Sequence, residues 1–250
     1  MHDQRVYLFG TCLIDQLYPK VGMDALALLE LCGYQVEFPL EQTCCGQPPY
    51  NSGYREAAFD VAKNVIKAFS QEPLPVVVPS ASCAGMIKHH YAQLMADTPL
   101  AQAAQDLAAR CVELVDFIAD KLPYEQLQQS ATNQHISLHL SCSSLREVPV
   151  AQRWRDILTS LPGVTVSEPE NAEECCGFGG TFAVKSPEIS ACMTADKAQH
   201  LSNLQSEHIV SGDCGCLMNI GSHLKHQTGE DPCVHIATII AQAFGVAYDE

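Results

Sequence analysis

Two stretches, "EQTCCGQPPYNSG" (41–53) and "EECCGFGGTFAVK" (173–185), place adjacent cysteines before a glycine, at Cys44-Cys45-Gly46 and Cys175-Cys176-Gly177. With 13 Cys and 15 Gly in 250 residues, about 0.04 such triplets are expected by chance. Two are present, 131 residues apart. Around them the pattern repeats. Apolar runs upstream, "VYLFGTC" and "ISLHLSC", close at Cys12 and Cys142, and runs downstream, "PVVVPSASC" and "HIVSGDCGC", close at Cys83 and Cys216. The four offsets, 130, 131, 131 and 133 residues, differ as loop lengths differ between copies of a duplicated unit. The repeat divides the chain into units over 1–125 and 135–250, with the boundary in the polar stretch "EQLQQSATNQ" (125–134).

The fold class follows from what lies between the cysteines. "RVYLFG" (5–10) and "VVVPS" (76–80) are short aromatic or β-branched runs bounded by Gly and Pro, as buried strands are. Helical spacing marks 54–69, 23–33 with a stop at Gly33, 187–204 opening on Pro187, and 234–245 ending at Gly245. Strands alternating with helices predict α/β architecture: two repeated parallel-sheet units related by pseudo-two-fold symmetry. Sites in open parallel sheets assemble beyond the carboxyl ends of the strands, which is where these cysteines fall. Cys12, Cys44, Cys45 and Cys83 are therefore expected to converge on one site, and Cys142, Cys175, Cys176 and Cys216 on another. The glycine after each pair lets the chain turn sharply.

The formal charge of −15 argues against nucleic-acid or anionic-membrane partners. The N-terminus lacks a secretory pattern, and no apolar run is long enough to span a bilayer, so a cytoplasmic protein is expected. There thiols stay reduced, and an odd number of them argues against a disulfide framework. Neighbouring Cα atoms, about 3.8 Å apart, are also closer than the roughly 4.4–6.8 Å of a relaxed disulfide. Thiolate ligands suit iron–sulfur clusters or zinc. Structural zinc favours paired C-x₂₋₄-C knuckles, which neither half has; widely spaced ligands with one adjacent pair suit a larger multi-iron body. Zinc in either half and thiol chemistry stay open as alternatives.

Cys12…Cys44-Cys45-Gly46…Cys83 and its second copy resemble the paired CCG domains of the cysteine-rich subunit of heterodisulfide reductase, and of related glycolate oxidase and succinate–quinone-type oxidoreductase subunits. The words "CCGQPPYNSG", "CCGFGGTFAVK" and "CLMNI" resemble more narrowly the lactate-utilisation protein A family, along essentially the whole chain. The resemblance implies an iron–sulfur oxidoreductase subunit of a three-component bacterial L-lactate-oxidising complex, with two partner subunits, at least one of them an iron–sulfur protein. It implies the eight matched cysteines as ligands, with one cluster, [4Fe-4S] in type, per half. The reductase motif ends in C-x-x-C, and its first position is here Ser80 in "SASC" and Asp213 in "DCGC". Cys214 is a candidate substitute ligand. Cys32, Cys111, Cys192 and Cys233 lie off the repeat and read as core residues. His139 and His235 read as satisfied core or capping histidines, with tuning of a cluster as the alternative. No acid–base pair, nucleotide-binding glycine pattern or Ser/His/Asp arrangement stands out.

Overall fold

A computed structural model describes residues 4–127 and 133–248. Residues 128–132, inside the expected boundary, lie outside the described residues. Two four-stranded sheets form, each entirely parallel. In the first, β1 (Arg5–Leu8), β2 (Gln35–Glu37), β3 (Val76–Val78) and β4 (Cys111–Glu113) run in the order β2-β1-β3-β4. In the second, β5 (Gln134–Leu138), β6 (Val164–Ser167), β7 (His208–Ser211) and β8 (Cys233–His235) repeat that order as β6-β5-β7-β8. Registers match as well: Arg5 pairs with Gln35, and Gln134 with Val164.

The central strands consist of buried Val, Ile and Leu, because helices cover both faces of a parallel sheet. One contiguous apolar core links the two halves, running from Val6 and Phe9 through Trp154 to Ile240 and Phe244. The helix Pro19–Leu31 of the first half packs on Ile236–Ala243 of the second. Between them the buried carboxylate of Asp24 accepts hydrogen bonds from the Thr238 hydroxyl (2.6 Å) and the Tyr248 N–H (2.8 Å).

The predicted helices form as Pro19–Leu31, Arg55–Ala68, Pro187–Ser202 and Ile236–Ala243. Two expectations shift. Pro19 at the first helical position starts its helix four residues earlier than the sequence pattern suggested. Val234 and His235 belong to β8, and the last helix begins only at Ile236. Among the described residues no helix is long and apolar enough to cross a membrane.

Candidate metal centres

The inner strands deliver four of the eight cysteines and the edge strands β2 and β6 the two adjacent pairs. Beyond β1 and β5, Thr11 and Ser141 cap helices whose first residues are Cys12 and Cys142. The Thr11 and Ser141 hydroxyls accept from the N–H groups of Ile14 and Ser144. Beyond β3 and β7, Ser80 and Asp213 precede helices that carry Cys83 and Cys216 at their third positions. The adjacent pairs come from the loops after β2 and β6. Gly46 and Gly177, at φ +82° and +84°, turn the chain in the left-handed region. A Cβ on Gly177 would stand 2.7 Å from the Ser190 carbonyl oxygen, so only glycine lets this loop lie against the helix Pro187–Ser202.

Thiol–thiol interactions run through each quartet. In the first half they link Cys12 to Cys44, Cys44 to Cys45, and Cys45 to Cys83. In the second they link Cys142 to Cys175, Cys175 to Cys176, and Cys176 to Cys216, the last pair at 3.2 Å. One member of each chain is held as a thiolate. Hydrogen bonds from Cys12 and then Cys45, with the N–H groups of Gly46 and Cys45, pull Cys44 down to about 3. Those from Cys142 and then Cys176, with the Gly177 N–H, pull Cys175 down to about 2. Their donors Cys12, Cys45, Cys142 and Cys176 are pushed up, first by donating to that thiolate and then by burial. Four soft donors gathered at the same end of each sheet suit zinc or an iron–sulfur cluster. Among the described residues, the ligand atoms that all lie within 4.8 Å of one another are those of His139, Cys176 and Cys216.

Both quartets line a single cavity of about 420 Å³ between the halves. Its wall is stitched by Asp213, which is buried and does not cap its own helix. Its carboxylate reaches across to accept from the Ser80 hydroxyl (2.7 Å), the Ser82 N–H (3.0 Å) and the Ser141 hydroxyl. The positions that depart from the five-cysteine pattern thus bond to each other and tie the two halves at the site. Cys214 lines the same cavity, buried against Ile14 and Val21 of the first half. Burial and the Asp213 charge push its thiol up.

Sequence reasoning missed the residues that hold the adjacent pairs. The Tyr91 hydroxyl donates to the Cys45 carbonyl (2.8 Å). The Cys176 carbonyl accepts from the Asn219 amide (2.9 Å) and the Thr194 hydroxyl (3.0 Å). Asn219 lies in the "CLMNI" word, which was the available signal.

His139 is not the satisfied core histidine expected. Neither ring nitrogen has a hydrogen-bond partner, although the side chain is buried, and a ring nitrogen lies within 4.8 Å of the sulfurs of both Cys176 and Cys216. Burial, aided by the Lys197 charge, holds its pKa down to about 3, so the ring is neutral. His235 is a helix cap, its Nδ1 accepting from the Ala237 N–H (3.1 Å). Cys111 is core, whereas Cys192 is exposed on its helix, contrary to the core reading; Cys32 and Cys233 are half-buried.

The family pattern described as "Cysteine-rich domain" matches residues 6–88 and 136–221, one match over each quartet. A protein of Oceanobacillus iheyensis called "Lactate utilization protein A" is 41% identical over 94% of this chain and 96% of its own length. This chain belongs to the lactate utilization protein A family, built of tandem cysteine-rich domains. "Lactate utilization protein A 1" of Bacillus anthracis is 37% identical over 95% of this chain and 98% of that one. Among solved structures, a hypothetical protein from Helicobacter pylori shares the fold with a TM-score of 0.72 over 97% of this chain at 10% identity. This chain spans about half of that one, 49% of its length.

Proposed function

We propose that the protein is the cysteine-rich iron–sulfur subunit of a bacterial L-lactate-oxidising complex, acting in the cytoplasm with two partner subunits. Cys12, Cys44, Cys45 and Cys83 hold one cluster; Cys142, Cys175, Cys176 and Cys216 hold the other. The observation that carries the reading is that in each half four thiols from three separate loops come together as interacting neighbours on one cavity wall. When bound, such clusters supply one-electron transfer. The chain's own contributions are soft ligands and backbone N–H groups on the sulfurs, such as that of Gly177 on Cys175. Opening both quartets onto one cavity brings the two sites near each other. Removal of a hydride equivalent and a proton from lactate normally falls to an organic cofactor or a positioned acid–base group. That chemistry is assigned to a partner.

A second reading is favoured by one observation. An imidazole nitrogen beside Cys176 and Cys216 makes the second quartet a mixed nitrogen–sulfur donor set of the kind zinc takes. Zinc there would make this half a scaffold. Protein purified without oxygen decides between the two: a brown protein with iron and sulfide supports the first, a colourless one with zinc the second.

A further inference from the structure

The two centres have the same four thiols but different neighbours. The N–H of Phe9 donates to the Val77 carbonyl (2.9 Å), and the N–H of His139 donates to the Val210 carbonyl (2.8 Å), so the two occupy the same position beyond β1 and β5. A second correspondence comes from the glycines. Gly46 lies against Ala58 and Val61, and Gly177 against Ser190 and Met193. This registers the helices Arg55–Ala68 and Pro187–Ser202 with Val65 opposite Lys197. All four side chains are buried. The first quartet therefore backs onto a phenyl and an isopropyl group, the second onto an imidazole and an ammonium.

Neither polar group is spent on ordinary packing. His139 has no partner for either nitrogen and points a nitrogen at the sulfurs of Cys176 and Cys216. Lys197 donates to the carbonyls of Asn171 (2.6 Å) and Ala172 (3.5 Å), in the segment leading to Cys175. Its charge is felt by Cys176, Cys142 and Cys175. No carboxylate bonds to it directly among the described residues; the ammonium is buried against carbonyl dipoles, with Glu174 and then the thiols as the charges that act on it. An unpaired buried imidazole N–H is unfavourable, and an anionic sulfur centre is the partner it lacks.

We propose that His139 and Lys197 give the second centre the higher reduction potential, so that an electron taken up by the protein rests there rather than at the first. The inference depends on both quartets holding redox-active iron–sulfur centres, as argued above. Adding an electron makes a thiolate-ligated cluster more negative. In a low-dielectric interior, a nearby fixed positive charge and an N–H donor to sulfur each favour that reduced state. Phe9 and Val65 offer neither. Two carboxylates oppose this difference. Glu174 acts on Lys197, but it is half-exposed and paired with His200 (3.0 Å), where solvent screens it more than the buried ammonium. Glu147 lines the cavity the two centres share. Arg146 acts on Cys142 of the second quartet, in the same direction. Asp213 bridges Ser80 and Ser141, caps from both halves, so its charge acts on both centres. The step is a one-electron reduction of the second centre, the electron coming from an added one-electron chemical reductant, with no bond made or broken in the protein.

The test is an anaerobic reductive titration of the iron-loaded protein with dithionite and mediators, followed by electron paramagnetic resonance alongside iron analysis. Two reduction waves are expected. Lys197→Met should shift the upper wave downward and leave the lower one in place, Lys197→Arg should restore it, and His139→Phe should produce a smaller downward shift of the same wave. A merely structural role for Lys197 would not be rescued in potential by arginine. If Lys197→Met does not fold, His139→Phe decides alone. Two iron-filled quartets whose upper wave ignores these substitutions, or whose lower wave moves instead, would overturn this inference while leaving the iron–sulfur reading intact. Iron in only one quartet, or zinc in the second, overturns both.

Discussion

The first and second halves share strand order, register and the placement of four cysteines, yet nearly every other group touching the quartets differs. Phe9 faces His139, Val65 faces Lys197, Ala62 faces Thr194, and Ser80 faces Asp213 across the repeat. The carbonyl of the buried cysteine is held by a phenol in one half and by an amide with a threonine hydroxyl in the other. Even the helix bearing the last ligand differs. In the second half it runs unbroken from Cys214 to Thr228, whereas in the first Ala81–Gly85 passes into a π turn at Met86–His90 directly before Tyr91. π turns inside helices often mark functional sites. The repeat sets the scaffold and the thiols, and on the proposal above a handful of lining positions would set how the two centres differ.

The largest expected effect breaks one half at a time. If each quartet holds its own cluster, as proposed, Cys45→Ser should remove the metal of the first centre and Cys176→Ser that of the second, each leaving most of the other's iron. Cys111→Ala should leave iron content nearly unchanged, since Cys111 is buried in β4 with its thiol on the Ala84 carbonyl (3.9 Å), behind Cys83 and outside the repeated quartet. Iron and sulfide analysis of the three purified variants checks this. If Cys45→Ser emptied both centres in a folded protein, the comparison of two separate sites would be wrong.

What the sequence disclosed about these halves follows strand position. β1, β3, β5 and β7 are the inner strands, buried on both faces, and their Val, Ile and Leu runs were legible. β2, β4, β6 and β8 are edge strands of three or four residues, such as "QVE" and "CVH", partly exposed and too short to show a period. The eight cysteines could be read because the repeat places them at matching offsets. The Asp213 bridge could not, because its partners lie 133 and 72 residues away and nothing local distinguishes it from a helix cap. The role of His139 was hidden for a related reason: only its lack of partners sets it apart from a core histidine.

That bridge gives the next effect. Asp213→Ala would leave two hydroxyls and an N–H unpaired where the halves meet, destabilising the fold by about 3 kcal/mol. Ser80→Ala at the matching position removes a cap to the Cys83 N–H and one donor to Asp213, about 1 kcal/mol. Urea unfolding of the two variants should separate them. Equal losses would mean that the bridge works as an ordinary cap.

The paired glycines differ less. Alanine at Gly46 is forced into the left-handed region, at about 1 kcal/mol, with Val61 Cγ1 3.3 Å from the new Cβ. At Gly177 the same strain adds to a 2.7 Å approach to the rigid Ser190 carbonyl, so Gly177→Ala should lose about 2 kcal/mol. Melting temperatures that fall equally would show that the second loop has room the contact distances deny.

The smallest effect is a tilt with pH rather than a loss, and it concerns the caps at the ends of β4 and β8. Glu113 caps the helix Leu114–Ile118, accepting from the Asp116 N–H (3.0 Å), and His235 caps Ile236–Ala243. Both are buried, and burial penalises the charged form of each. It raises Glu113 to about 8, against the pull of the Asp116 N–H, and lowers His235 to about 4. The signs are opposite. Between about pH 4.5 and 8 the folded protein keeps a proton on Glu113 that the unfolded chain has lost, so this contribution to stability falls as pH rises, by at most about 1.4 kcal/mol per unit. Between about pH 4 and 6.5 the unfolded chain carries a proton on His235 that the folded protein lacks, so that contribution falls as pH drops. Glu113→Gln should therefore gain stability relative to the parent as pH rises from 6.5 to 8, where His235 is silent. His235→Asn should gain relative stability as pH drops from 6.5 to 4. Urea titrations at several pH values give both differences. Curves for parent and variants that ran parallel across these windows would mean that the two caps are ionised alike in the folded and unfolded chains, and that burial at the ends of β4 and β8 does not divide the halves electrostatically.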